Sequence, residues 1–207
     1  NPLENNTYSL LDKVALLLIF LFPVFGNLIP IWYSAIFFFI AIVSFFYIKK
    51  GWPLLDSFQK NMAYALLVYF SIFLINATLL GWQAIEIGEL GVELRLIFII
   101  PLLCMASAIP SVRPALYLGL IVSLVIFFGQ AVYELVIQQQ LRLSGSDNPL
   151  RISALALITM SVVIPWLNSN KWHVSSILVY FGSCLIIVLT QGRMAIISTL
   201  VVSIILF

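Results

Sequence analysis

The segment Leu189-Thr190-Gln191-Gly192-Arg193-Met194-Ala195 separates two long apolar runs of the sequence. Arginine keeps its proton at any working pH, and placing it inside hydrocarbon costs at least about 2.5–3.5 kcal/mol. An arginine between two membrane spans therefore either reaches the membrane surface or holds an anion. Gly192 lets the backbone bend and approach a ligand, and Thr190 and Gln191 add polar groups at the same level. These neighbours favour an anion-binding role for Arg193.

The composition around this segment excludes a water-soluble globular domain. The chain of 207 residues is 63% hydrophobic and only 9% charged, whereas a soluble domain carries roughly 25% charged residues. The apolar runs are long and do not alternate with period two, which favours membrane-spanning helices over a barrel. The net charge of +2 gives no indication of a nucleic-acid partner. We therefore predict an all-α, polytopic transmembrane helical bundle.

The apolar runs predict about seven complete spans and a truncated eighth, at about 20 residues per span, in a single transmembrane domain over residues 1–207. The predicted spans are 14–30, 31–48, 61–82, 94–110, 115–137, 151–167, 174–190 and the incomplete 194–207. The sequence does not begin with Met, and its last apolar run stops at Phe207. We therefore expect the chain to be the N-terminal part of a longer membrane protein.

The basic residues between the spans indicate the orientation, because Lys and Arg accumulate on the cytoplasmic side. On the N-terminal side lie six of them: Lys13, Lys49, Lys50, Lys60, Arg113 and Lys171. On the opposite side lie four: Arg95, Arg142, Arg151 and Arg193. This bias predicts a cytoplasmic N-terminus, with Arg142, Arg151 and Arg193 on the extracytoplasmic side. Guanidinium groups bind phosphate bidentately, so three converging arginines would suit the diphosphate of a lipid head group. The alternative is that each arginine reaches water separately.

The other chemical groups carry weaker signals. The predicted outer face holds the only carboxylates available as a general base: Glu86, Glu89, Glu93, Glu134 and Asp147. The spacing of the first three is typical of a solvated helix face, and the absence of a nearby histidine argues against a metal site. His173, the single histidine, is expected at the cytoplasmic interface without a catalytic role. Cys104 and Cys184 lie inside apolar runs and are interpreted as small buried side chains.

Two motifs resemble segments of the O-antigen ligase and O-antigen polymerase superfamily. Ile187-Val188-Leu189-Thr190-Gln191-Gly192-Arg193-Met194-Ala195 is similar to the family's "LTxSRG" or "LTQTRA" segment between two late spans. Arg142-Leu143-Ser144-Gly145, followed by Asn148-Pro149, is similar to the "RxxG…NPN" turn that occurs two spans earlier. The sequence departs from these patterns at Gly192, Met194 and Leu150. Plain turn chemistry also explains the residues between Arg142 and Pro149.

The resemblance implies a metal-independent, cofactor-free glycosyltransferase of the bacterial inner membrane. Such an enzyme takes a glycan from an undecaprenyl-diphosphate carrier at the periplasmic face. A ligase transfers it to the lipid A core, and a polymerase transfers it to another carrier-linked repeat unit. The diphosphate would be held by Arg193, Arg142 and Arg151, with support from Thr190, Gln191, Gly192, Gly145 and Asn148. The histidine proposed to act on the acceptor would lie beyond Phe207, so this chain alone is expected to be inactive.

Two other classes stay open at this point. A transporter or flippase of lipid-linked sugars would place polar or broken helices near the bilayer midplane. Pro23, Gly26, Asn27, Asn76 and Pro101 lie in or near spans, but the cations are expected at one face, which favours interfacial chemistry. A non-enzymatic membrane scaffold would have no outer cavity converging on Arg193.

Overall fold

All regular elements in the described part of the chain are helices. The computed structural model describes residues 8–25, 30–80, 95–137, 149–190, 198–199 and 201–203. Its helices are α1 (Leu10–Phe25), α2 (Pro30–Phe45), α3 (Ile48–Gly51), α4 (Ser57–Leu80), α5 (Ile99–Ala108), α6 (Val112–Val132), α7 (Pro149–Ser169) and α8 (His173–Leu189). A 3-10 turn, Trp52–Leu54, follows α3, and a π-helical turn, Tyr133–Ile137, continues α6. The predicted all-α class is confirmed.

Three of the described helices are long and apolar enough to cross a membrane. They are Ser57–Leu79, Val112–Ile137 and Ile152–Ser169, and they match the predicted spans 61–82, 115–137 and 151–167 to within a few residues. A fourth candidate is the pair Ser34–Phe45 and Ile48–Leu54, which is bent by 61°. The apolar helices Arg95–Ala108 and His173–Leu189 are shorter. The membrane character is thus supported, whereas the seven-span count stays a prediction.

Two helices begin with reciprocal hydrogen bonds between a cap and the third helical residue. At α1 the backbone N–H of Ser9 donates to Asp12 Oδ2 at 2.9 Å, and the N–H of Asp12 donates to Ser9 Oγ at 3.1 Å. At α4 the N–H of Asp56 donates to Gln59 Oε1 at 3.1 Å, and the N–H of Gln59 donates to Asp56 Oδ1 at 2.7 Å. This arrangement satisfies N–H groups that lack a partner within the helix. It fixes both helix starts at polar residues outside the apolar runs.

The helices form two compact units. Unit 1 comprises Asn1–Ala15 and Phe38–Val112, and unit 2 comprises Leu16–Phe37 and Arg113–Phe207. In unit 1 the short helix α3 packs against α5 so closely that Gly51 has no room for a side chain. A methyl group on Gly51 would overlap the carbonyl oxygen of Cys104 and stand 2.6 Å from Cys104 Cα. Glycine is therefore required at this contact.

A second link within unit 1 connects the start of α1 to the bend after α2. The buried Tyr47 donates its hydroxyl to Asp12 Oδ1 at 2.6 Å. This hydrogen bond, with further ones from Ser9, lowers the pKa of the Asp12 carboxyl below its usual range. The carboxylate form is therefore favoured in the folded state. Its contribution to stability is present above the ordinary carboxyl pKa and is lost as the pH falls through the lowered one.

In unit 2 the helices α6, α7 and α8 share one hydrophobic core. Its most buried members include Phe127, Met160, Ile164, Leu167 and Ile186. The helices α7 and α8 are joined by a short loop and pack along one another, so they form an antiparallel hairpin. Small polar side chains are buried at intervals of seven residues on α8: Ser176, Ser183 and Thr190. Small residues allow close approach of helices in membranes, where apolar burial gives little driving force.

The end of α7 carries an unusual backbone conformation. The N–H of Trp172 donates to the carbonyl of Leu167 at 2.9 Å, and the N–H of Lys171 donates to that of Asn168 at 3.0 Å. These two bonds define the Schellman ending of a helix, in which glycine usually takes the left-handed position. Here Lys171 occupies that position with φ of 62°. A residue with a side chain costs roughly 1–2 kcal/mol in this conformation relative to the right-handed one.

Candidate functional site

One end of unit 2 gathers the helix ends that flank the predicted arginines. Because α7 and α8 are antiparallel, the start of α7, with Arg151 in its first turn, lies at the same end as Thr190 after α8. The direction of α6 follows from the contact of Tyr117, near its start, with Trp166, near the end of α7, at 5.2 Å between ring centroids. The far end of α6, with Glu134, therefore lies at the same end of unit 2 as Thr190 and the start of α7. We call this the outer end, after the side of the membrane on which the sequence predicts the three arginines.

The chain returns towards α8 after residues 191–197, which include Arg193 and lie outside the described part of the chain. Residues 198–199 and 201–203 are helical, and the hydroxyls of Ser203 and Tyr180 are 3.0 Å apart. Tyr180 lies ten residues before Thr190, so the returning segment runs back alongside α8. The described residues before and after 191–197 thus belong to the same helical group.

Thr190 is the one predicted site residue whose side chain is described. It is buried, its N–H donates to the carbonyl of Ile186 at 3.0 Å, and its hydroxyl donates to the carbonyl of Ile187 at 2.8 Å. The hydroxyl proton is therefore engaged in ending α8. The oxygen of Thr190 can still accept a hydrogen bond.

The other predicted site residues fall outside what the structure describes. These are Arg142, Gly145, Asn148, Gln191, Gly192 and Arg193. Arg151 is described only as a helical position in the first turn of α7, without its side chain. Glu86, Glu89, Glu93 and Asp147 also lie outside the described residues. The predicted convergence of the three arginines therefore stays a prediction, and the described helix ends supply its framework.

A buried carboxylate lies at the outer end and was not singled out by the sequence. Glu134 is only 6% exposed and lies in the π-helical turn Tyr133–Ile137. Its Oε1 accepts a hydrogen bond from Nε2 of Gln130 at 2.8 Å. The sequence analysis grouped Glu134 with the carboxylates of the outer face. The available signal was the polar pair Gln130 and Glu134, four residues apart at the end of an apolar span, because such pairs face each other on a helix.

The placement of Glu134 gives it chemical importance. Ionisable residues within membrane segments are rare, and they face the protein interior or a water-filled cavity. Single turns of π-helix inside longer helices are frequent at functional sites. A buried carboxyl group at the end where the arginines are predicted offers oxygen atoms that can orient a guanidinium group.

We expect Glu134→Ala to destabilise the protein by about 1–3 kcal/mol, because the amide N–H of the half-buried Gln130 loses its acceptor. Glu134→Gln keeps a carbonyl acceptor at the same position and should lose less than half as much. Thermal unfolding in detergent measures both. The control is Val136→Ala, two residues away at a side chain that is 68% exposed, which should change stability by about 0.5 kcal/mol or less. An Ala variant as stable as the wild type would contradict the assigned hydrogen bond.

The remaining candidates lie elsewhere. His173 is exposed at the start of α8, at the opposite end of this helix from Thr190. Cys104 is buried in α5 and Cys184 is partly buried in α8, and both are free thiols. Within the described ranges, no group of three or more His, Cys, Asp or Glu side chains could hold a metal ion.

The comparisons with known proteins add no relative. Protein-family models, curated proteins and solved structures were each compared with this chain, and none matched.

Proposed function

We propose that this chain belongs to an O-antigen ligase-like membrane glycosyltransferase. In this proposal the helices form a bundle of seven complete spans and part of an eighth in the bacterial inner membrane, with the N-terminus in the cytoplasm. The donor is a glycan on undecaprenyl diphosphate at the periplasmic face, and the acceptor is the lipid A core. The outer end of unit 2 then faces the periplasm.

The observation that carries the proposal is the shared position of three helix ends. The chain enters α7 directly after the motif Arg142–Pro149, and it leaves α8 directly before Arg193. Both points lie at the outer end, which also holds the buried Glu134. Segments far apart in sequence are thus joined to one helical hairpin, which is what two arginine-bearing segments need in order to act on one diphosphate.

The chemistry is a displacement at the anomeric carbon of the donor sugar. The acceptor hydroxyl oxygen bonds to that carbon, the bond from the carbon to the diphosphate oxygen breaks, and the diphosphate leaves with the electron pair. The hydroxyl proton passes to a base. Negative charge develops on the leaving oxygen, and fixed cations in a poorly hydrated interface stabilise it more than water does. Arginines therefore supply the charge compensation that a metal ion provides in other glycosyltransferases.

The alternative acceptor is a second carrier-linked repeat unit, which would make the protein an O-antigen polymerase. The same arginines would hold the donor diphosphate in either enzyme, so the donor site does not distinguish a ligase from a polymerase.

A transporter or flippase of lipid-linked sugars is the third candidate function. Such a protein would place polar groups near the bilayer midplane, whereas Glu134 lies near the end of its span.

Complementation of deletion strains tests the proposal. The complete gene that encodes this chain is expressed in strains that lack either the O-antigen ligase or the O-antigen polymerase, and lipopolysaccharide is separated on gels. Ligase activity restores glycan on the lipid A core in the first strain, and polymerase activity restores the ladder of long chains in the second. Expression at the membrane without restoration in either strain would contradict the proposal.

A further inference from the structure

A cluster of aromatic and basic residues lies at the end of unit 2 opposite to Glu134. Trp166 contacts Tyr117 of α6 at 5.2 Å and Trp172 of the α7–α8 loop at 5.8 Å between ring centroids. Arg113 precedes Tyr117 by one helical turn, and Lys171 directly precedes Trp172. Both cations are exposed. The contacts among the three rings thus join the two chain segments that carry these cations, and we call these five residues the basic aromatic surface.

The basic aromatic surface lies where two candidate membrane spans end. The span Val112–Ile137 begins beside Arg113, and the span Ile152–Ser169 ends two residues before Lys171. Tryptophan and tyrosine concentrate at the level of the lipid head groups, where one side of the ring is apolar and the other is wet. The two cations are therefore expected at the depth of the lipid phosphates.

The backbone conformation disfavours a lysine at position 171, and the helix dipole disfavours the cation at position 113. Lys171 takes a left-handed conformation that favours glycine. The dipole of α7 favours a cation at this helix end, but a lysine at the neighbouring exposed position 170 would serve it without the unfavourable φ. Arg113 lies in the first turn of α6, where the helix dipole disfavours a cation. A bound anion would offset both effects.

No carboxylate of the described part of unit 2 neutralises these cations. The single described acidic residue of this unit is Glu134, at the other end of α6. Apolar side chains continue from the cations along α8: Val174, Ile177 and Leu178 are 73%, 53% and 67% exposed. The surface thus presents two cations followed by a strip of exposed hydrocarbon, which is the pattern that an amphiphilic anion complements.

We propose that the basic aromatic surface binds the head group of an anionic phospholipid from the adjacent leaflet, such as phosphatidylglycerol. Arg113 and Lys171 hold the phosphate, Trp172 covers the glycerol region, and the acyl chains lie along the exposed face of α8. The exposed hydrocarbon favours a lipid over soluble phosphate, because only a lipid covers both parts of the surface. This inference does not depend on the proposed glycosyltransferase activity.

Fluorescence quenching in nanodiscs tests the proposal. The protein is placed in phosphatidylcholine discs with a minor fraction of brominated phosphatidylglycerol or brominated phosphatidylcholine. The variant Trp172→Phe keeps an aromatic ring against Trp166. The difference in quenching between the wild type and this variant gives the part of the signal that comes from Trp172. We expect brominated phosphatidylglycerol to be enriched at Trp172, by about fivefold for each basic residue.

Charge variants separate a specific site from a general attraction. Lys171→Gly removes the cation and supplies the residue that the left-handed position favours, so the fold should be kept while enrichment falls about fivefold. Arg113→Gln should lower the enrichment by a similar factor. The control is Lys49→Gln, an exposed lysine of unit 1, which should leave enrichment unchanged.

Three results would overturn the proposal. Equal quenching by the two brominated lipids would show that Trp172 senses only bulk lipid. If Lys49→Gln lowered the enrichment of brominated phosphatidylglycerol as much as Lys171→Gly does, the lipid would be attracted by net charge alone. Displacement of the lipid by millimolar inorganic phosphate would show that the ligand is a soluble anion.

Discussion

Replacing Gly51 with alanine is expected to prevent stable folding of unit 1. The methyl group would overlap the carbonyl oxygen of Cys104 and lie within 2.6 Å of Cys104 Cα. These are backbone atoms of α5, so they cannot turn aside as the end of a flexible side chain can. Overpacking a well-packed core costs roughly 1–3 kcal/mol, and this variant should reach the upper end of that range or exceed it.

The measurement is thermal unfolding of the purified protein in detergent, together with the fraction that elutes as a single species. The matched control is Gly129→Ala in α6, where an added methyl group meets no atom within 4 Å. Alanine is favoured over glycine in a helix by roughly 0.5–1 kcal/mol, so the control should be as stable as the wild type or slightly more stable. Equal stability of both variants would contradict the close contact between α3 and α5.

The second large effect is expected at Arg193 and rests on the proposed function. Arg193→Ala in the complete protein should reduce glycan transfer by about 10² or more, because a fixed charge at the leaving oxygen is lost. Arg193→Lys should retain little activity, because a point charge lacks the planar fork of the guanidinium. Lipopolysaccharide ladders in the complemented deletion strain measure both variants.

The matched control for Arg193 is Arg95→Ala. Arg95 is exposed and is predicted on the same side of the membrane, but it belongs to unit 1. Loss of activity in both variants would point to a general requirement for positive charge on this side. If Arg193→Ala is present in the membrane and the strain still shows a normal lipopolysaccharide ladder, the proposed function is contradicted.

The sequence predicted the helices because their apolar runs are long. The spans of α4, α6 and α7 differ from prediction by only a few residues, since polar residues such as Asp56 and Ser169 mark their ends. The second predicted span, 31–48, is instead interrupted after Phe45 and bends by 61° before Ile48. Hydropathy locates the end of the apolar run at Lys49 and Lys50, but it carries no information on the angle between neighbouring helical segments.

Tertiary contacts were less accessible from the sequence. The requirement for glycine at Gly51 depends on its distance from Cys104, which lies more than 50 residues away in the chain. The sequence did not indicate the left-handed conformation of Lys171, because the position after a helix that takes this conformation usually carries glycine. The burial of Glu134 was missed for a related reason: near the end of a span, the sequence does not show whether a carboxylate faces water or a neighbouring helix.

The candidate site was predicted from two short motifs, and the structure describes the helices that adjoin them in the chain. The start of α7 and the end of α8 lie at the same end of unit 2 because the short connection, residues 170–172, turns the chain back. This hairpin follows from the sequence once two neighbouring apolar runs are recognised. The positions of the guanidinium groups of Arg142, Arg151 and Arg193 do not follow from it.

Binding of undecaprenyl diphosphate to the purified complete protein tests most directly whether Arg193 holds a lipid-linked diphosphate. Affinities of the wild type, Arg193→Ala and Arg95→Ala are compared by titration in nanodiscs of neutral lipid. A hydrogen bond to a charged group contributes about 1.5–3 kcal/mol, so Arg193→Ala should weaken binding by about tenfold to a hundredfold, and Arg95→Ala should leave it unchanged. Equal affinity of the wild type and Arg193→Ala would contradict the account.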